Sequence, residues 1–190
     1  MKRTGALTSQ AAIFIYRDDG PEEKIWKAVR NVYKTENGLI RAELHNKKLP
    51  FLSALKKWNV KTESMNSFLY INAHAGKLGM NCKPGVPETR VSWHELAEAL
   101  RCGVQYLWLM GCNTAECVKS WYPLCGPVRK RLLATNKKGV FGLPFVPLFA
   151  REISQDPIAF DDEMPSILRK QEPNLARFTR YFECRFRELY

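Results

Sequence analysis

The 190-residue sequence lacks several features that would assign it to a familiar class of protein. It has no internal repeat or low-complexity segment, and its longest apolar run, Val140 to Ala150, is too short to span a bilayer. The residues that follow Lys2 and Arg3 lack the apolar stretch of a signal peptide. We therefore expect one soluble domain, residues 1–190, located in the cytoplasm and without contact with a membrane.

Motifs that hold metals or phosphates are also missing. The six cysteines form no C-x-x-C pair, and the spacing of Cys112, Cys117 and Cys125 fits no common zinc pattern. No glycine-rich phosphate loop follows the first predicted strand. We expect no metal and no cofactor, and because the chain is neither short nor marked for secretion, we expect no disulfide framework.

Positive charge, by contrast, is abundant, with 30 Lys and Arg against 19 Asp and Glu and a formal net charge of +11. Such an excess suits nucleic acid, an anionic membrane surface or simply a solvated cationic exterior. The cations are spread along the chain without a block of five or six like charges, which favours solvated helix faces. An acidic protein partner or complex fits this charge, and nucleic acid is a less favoured alternative.

Hydrophobic periodicity predicts alternating strands and helices. The predicted strands cover residues 11–17, 39–45, 67–75, 104–110 and 140–146, and the predicted helices cover residues 21–33, 49–58, 92–101, 114–134 and 175–189. Ser92 and Glu95 have the spacing of a helix capping box. Such alternation is typical of βαβ units, so we expect an α/β fold, a three-layer sandwich with a mainly parallel central sheet flanked by helices.

Two reactive side chains stand at the ends of predicted strands: His74 near the end of 67–75, and Cys112 just after 104–110. Groups beyond the carboxyl ends of parallel strands meet at one rim of the sheet. If these strands are neighbours, about 4.8 Å apart, the imidazole and the thiol emerge side by side. An imidazole beside a thiol favours the nucleophilic thiolate and later protonates the leaving group. Asn113 and Thr114 are N-cap residue types, so the thiol is expected at a helix start.

The oxyanion of an attacked carbonyl would need backbone N–H donors, for which Gly76 and Cys112 are the candidates. Gly76 would let the chain turn sharply after His74, and Gly111 would allow a close approach beside the thiol. A lone cysteine or histidine is more often structural, but their joint occurrence at consecutive strand ends favours catalysis. His45, His94 and the tryptophans are expected to be structural.

Two segments carry a resemblance to a known family. The run LYINAHAG (69–76) and the run LWLMGCNTA (107–115) resemble the His and Cys motifs of caspase-like cysteine peptidases of clan CD, closest to the CHAT group of caspase and separase relatives. The intervening VSWHELAEALR resembles the helix that these proteins place between the two strands, and ATNKKGVFGLPFVP (134–147) resembles the strand after the nucleophile's helix. Ala75 stands where the family usually has glycine directly after the histidine.

The resemblance implies a thiol protease that hydrolyses peptide bonds in a protein substrate, with Cys112 as nucleophile, His74 as acid/base and an oxyanion hole near Gly76 and Cys112. In caspase relatives the loop after the first strand helps to bind the substrate, and here it contains Arg17, Asp18 and Asp19. Arg17 would suit an acidic side chain, and either aspartate a basic one. Alternatively, all three are solvated turn residues.

Two other functions stay open. One is a basic binding module on a caspase-like fold, whose salt-dependent binding to nucleic acid or an acidic protein would survive loss of His74 and Cys112. The other is an inactive relative of the peptidases that acts by interaction.

Overall fold

The structure, a computed structural model, describes residues 9–18, 40–62, 66–111, 114, 122–135 and 179–183. The strands in these ranges are β1 (Ser9–Tyr16), β2 (Ile40–His45), β3 (Asn66–Gly76), β4 (Gly79–Asn81), β5 (Val104–Met110), β6 (Val128–Thr135) and β7 (Thr179–Glu183). The helices are α1 (Lys48–Lys61) and α2 (Trp93–Ala99), and short 3-10 turns cover Pro87–Thr89 and Tyr122–Cys125.

The strands form one mostly parallel sheet in the order β2-β1-β3-β5-β6-β7. The neighbours from β2 to β6 are parallel, β7 is antiparallel to β6, and the short β4 pairs antiparallel with the end of β3. Together with the two helices of the described ranges, the sheet makes an α/β sandwich, as the alternation of elements predicts.

Both faces of the sheet are buried at the central strands β1, β3 and β5, which explains why these three strands are almost continuously apolar. On one face, Phe14 of β1 is in register with Ile71 of β3, and Ile71 with Leu109 of β5. The same core cluster contains the apolar side chains of both helices, namely Phe51, Leu55, Trp58, Trp93 and Leu96. The side chains of the alternate face are also buried, among them Ile13, Ile15, Tyr70, Trp108 and Leu133.

Each described helix has a sequence feature that fixes its position. The buried positions Phe51, Leu55 and Trp58 of α1 follow helical spacing and pack on the sheet. At the end of α1, the buried Asn59 donates to the Gly103 carbonyl at 2.7 Å and accepts from the Cys102 amide at 2.9 Å, which ties the helix to the turn before β5. The predicted capping box is confirmed at the start of α2.

Two predicted helices are wrong where the structure describes them. The predicted helix 114–134 includes β6, and the predicted helix 175–189 includes β7. Lys, Arg and Leu in VRKRLLAT are good helix formers, but β6 pairs with β5 on one side and with β7 on the other, and this pairing outweighs the helix propensity. In the segment 175–189, apolar and aromatic residues recur at helical spacing, which predicts a helix although Thr, Tyr and Phe of TRYFE favour a strand.

Strand β4 lies between the predicted strand 67–75 and the predicted helix 92–101 and was not predicted, because three residues are too few for a periodic pattern. The predicted helix 21–33 and strand 140–146 lie outside the described residues. Trp58, Trp93 and Trp108 are buried, as predicted for core residues. In the part of the chain that the structure describes, no helix is long and apolar enough to cross a bilayer.

Candidate active site

The candidate site lies where β3 extends beyond its neighbours at the carboxyl rim of the sheet. β3, which contains His74, and β5, which precedes Cys112, are adjacent and parallel, with Asn72 of β3 in register with Met110 of β5. Beyond this point β3 continues through His74, which is half-buried. Cys112 lies outside the described residues, as do Asn113 and Asp19.

Gly111, the residue before Cys112, packs closely against β3. A Cβ atom built on Gly111 would lie 2.8 Å from the Ala73 carbonyl oxygen and 2.8 Å from the Ala75 Cβ. These two alanines flank His74 in the sequence. The close approach at Gly111 is to β3, and it brings the end of β5 against the part of β3 that carries the histidine.

Arg17, the first residue after β1, contacts His74 directly. Its Nη2 lies 3.1 Å from Nε2 of His74, and its Nη1 donates to Oδ1 of Asn72 at 3.2 Å. The structure thus brings together Arg17 and His74, two of the residues selected from the sequence. Asp18 is exposed, and its contribution to this region is a backbone N–H that donates to the Cys82 carbonyl at 2.9 Å.

Asn72 is a site residue that sequence reasoning missed. It is only 2% exposed, on the same side of β3 as His74 two residues later, and its Oδ1 accepts from Arg17. A polar side chain buried in an apolar strand needs a hydrogen-bond partner. An asparagine inside the apolar run FLYINA was therefore a signal that a donor lies at this end of β3.

The end of β1, and with it the backbone of Arg17, is held by two further contacts. The Arg17 amide donates to the His45 carbonyl at 3.1 Å, and the buried Tyr16 hydroxyl donates to the Thr89 carbonyl. Burial, together with the neighbouring Cys82 thiol, raises the pKa of Tyr16 well above its usual range. Tyr16 therefore stays protonated and keeps its donor, so Arg17 extends from a fixed point of the backbone.

Gly76 does not make the sharp turn that the sequence suggests. It still belongs to β3 and is in register with Gly79 of β4, and the turn is formed by Lys77 and Leu78 between them. The left-handed backbone is at Gly79, where φ is 144° and a Cβ would overlap the Val91 carbonyl oxygen. A Cβ on Gly76 would meet no atom of the described residues within 4 Å.

Thr114 closes the bend after β5. Its buried hydroxyl donates to the carbonyls of Leu109, at 3.1 Å, and Gly111, at 3.4 Å. The side chain therefore bonds backward to the end of the strand. The helix predicted to start at Asn113 and Thr114 lies, apart from Thr114, outside the described residues up to Tyr122.

Besides His74, the residues that the structure describes include His45, His94 and three cysteines. His45 stacks on Phe14, with ring centroids 6.0 Å apart, and its Nε2 lies 2.8 Å from Oε2 of Glu43. His94 is exposed near the start of α2. Cys82, Cys102 and Cys125 form no disulfide, and no three potential metal ligands gather within the described ranges.

No protein-family model and no curated protein matches the chain.

Proposed function

We propose that the protein is a cysteine endopeptidase of the caspase-like kind, closest to the CHAT group, with Cys112 as nucleophile and His74 as acid/base. The observation that carries the proposal is the contact of Gly111 with Ala73 and Ala75. Cys112 directly follows Gly111 in the sequence, and Ala73 and Ala75 directly flank His74.

The strand register supports the same pairing. Asn72 and Met110 are partners on adjacent parallel strands. His74 follows Asn72 by two residues and Cys112 follows Met110 by two residues, so the last pair of β3 and β5 lies two residues before each proposed catalytic residue in the sequence.

The reaction begins when His74 accepts the proton of the Cys112 thiol. The thiolate then forms a C–S bond with the substrate carbonyl carbon, and the carbonyl electron pair moves to oxygen. When the carbonyl re-forms, the C–N bond breaks and the amine leaves with the proton from the imidazolium. Water, deprotonated by the imidazole, attacks the thioester, and the thiolate leaves and regains a proton.

The backbone N–H groups of Gly76 and Cys112 are the proposed oxyanion donors. Both assignments rest on the sequence, since Cys112 lies outside the described residues and Gly76 is in register with Gly79 of β4.

The contact between Arg17 and His74 favours Arg17 over Asp18 as the substrate-binding residue. A guanidinium beside the acid/base recognises a carboxylate by two parallel hydrogen bonds. We therefore propose a substrate with an acidic residue next to the cut. Asp19, on the same loop, stays a sequence-based candidate for a basic residue.

The test uses fluorogenic peptides that differ only in the residue before the cut, namely Asp, Glu, Asn, Lys or Arg. The unaltered chain is expected to hydrolyse the acidic peptides. Cys112→Ala is expected to abolish hydrolysis, and His74→Ala to lower kcat/KM by about 10² to 10⁴. Cys102→Ala, just before the amino end of β5 and so away from the carboxyl rim, is the control and should retain activity.

Hydrolysis by Cys112→Ala at the parent rate would contradict the proposal.

The dispersed charge of +11 supports an acidic regulatory protein or complex as an additional partner. No observation on the described residues favours nucleic acid over such a partner.

A further inference from the structure

We propose that Arg17 locks His74 in an inactive form until the acidic side chain of a substrate draws the guanidinium away. The group that selects the substrate would then also switch on the acid/base. This inference rests on the proposed function and adds to it the way in which the site is controlled.

The first step is the tautomer of His74. A guanidinium has five N–H donors and no acceptor, so in the 3.1 Å contact Nε2 of His74 must be the acceptor. A neutral imidazole that accepts through one nitrogen carries its hydrogen on the other. The contact with Arg17 therefore fixes the hydrogen of His74 on Nδ1.

The second step is what this tautomer can do. To activate a thiol, the imidazole must accept the thiol proton with a free lone pair. The lone pair of Nε2 is engaged by Arg17, and Nδ1 carries the hydrogen. In the arrangement observed, neither nitrogen can act as the base, whichever of them faces Cys112.

The third step is the release. A carboxylate is a far better partner for a guanidinium than a neutral ring nitrogen or an amide oxygen, because both members of the new pair are charged. Arg17 is half-buried and so within reach of a ligand, and its backbone is fixed to His45. The movement therefore falls to the side chain. Peptides with Asn, Lys or Arg at the same position offer no anion and would leave His74 locked.

The tautomer is tested directly by NMR of the protein labelled with 15N in its histidine rings. In the parent, the His74 signals are expected to show a protonated Nδ1 and an unprotonated Nε2. Arg17→Met keeps most of the side-chain volume but has no donor, and it should shift the hydrogen toward Nε2. Arg101→Met, an exposed arginine before β5, is the matched control and should leave the His74 signals unchanged.

The lock is tested by the rate at which iodoacetamide alkylates Cys112 in the folded protein. The extent of alkylation is read by mass spectrometry of peptides after digestion. N-acetyl-aspartate amide is expected to accelerate the parent's alkylation about tenfold, and its isosteric asparagine analogue not at all. Arg17→Met should react at the accelerated rate without either compound. Arg17→Leu, which also lacks a donor, serves as a second variant should Arg17→Met unfold.

The outcomes separate the two proposals. An unchanged tautomer and alkylation rate in both Arg17 variants would overturn the lock, while loss of peptide hydrolysis in His74→Ala would still support the dyad. Parent-like hydrolysis in both His74→Ala and Cys112→Ala would overturn the proposed function itself, and with it the lock.

Discussion

Two glycines of the candidate site differ in what an added methyl group would meet. At Gly111 a Cβ would lie 2.8 Å from the Ala73 carbonyl oxygen, a backbone atom that cannot move aside alone, whereas at Gly76 it would meet nothing within 4 Å among the described residues. Gly111→Ala is therefore expected to destabilise the fold by about 1 to 3 kcal/mol. Gly76→Ala should change the free energy of unfolding by less than about 0.5 kcal/mol.

Urea unfolding of the two variants measures this difference. Because alanine keeps its backbone N–H, Gly76→Ala should also retain a proposed oxyanion donor and most of the activity. Equal stability of the two variants would show that β5 does not pack on β3 as described.

Individual residues also mark the limit of prediction from the sequence. His74 could be selected because its type, its place at a strand end and its neighbours all pointed to chemistry. Its contact with Arg17 could not, because that contact depends on the register between β1 and β3, which no local pattern specifies. Asn72 was missed for a related reason, since its partner is 55 residues away in the chain.

At the scale of elements, α2 depends on its capping box and on an ion pair with α1. Glu95 accepts from the Ser92 amide at 2.9 Å and lies 2.7 Å from Nζ of Lys48. Burial alone would raise the pKa of Glu95, but the hydrogen bonds from Lys48 and Ser92 outweigh it and hold the pKa below its usual value.

The pH dependence of stability follows from this shift. Because the folded state holds the Glu95 pKa down, its contribution is complete above the unfolded pKa, about 4.3, and is lost as the pH falls through the folded value. Glu95→Gln should therefore flatten the loss of stability in acid, as measured by urea unfolding from neutral pH downward. Glu98→Gln, on the exposed side of the same helix, is the control and should keep the parent's slope. A parent-like slope in Glu95→Gln would contradict the assignment.

The same element was predictable because its signal is local. The box places Ser92 and Glu95 three residues apart, and the helix follows directly. Strands β6 and β7 could not be predicted from the sequence, because pairing with neighbouring strands rather than composition makes these segments strands.

At the scale of the whole molecule, the net charge of +11 predicts weak binding to any polyanion. Affinity for duplex DNA is expected to lie near 10⁻⁴ to 10⁻⁶ M at physiological salt, without sequence preference, and to fall steeply as the salt concentration rises. Fluorescence anisotropy across a salt series measures it, with Cys112→Ala expected to bind as the parent does. Tight binding that persists at high salt would instead favour the binding-module alternative.

The order of the strands has a consequence for how the protein acquires its site. Among the described strands, β3 and β4 are the only sheet neighbours joined by a short turn, and they are antiparallel, while the parallel neighbours β1, β3 and β5 are joined through long stretches of chain. Closing such loops costs entropy before the pairing contacts repay it, so folds of this kind form slowly. Helices can form early, but Arg17 meets His74 only once β1 and β3 have paired. The lock on the histidine is therefore set by the same late step that builds the rim, so the site would emerge from folding already closed.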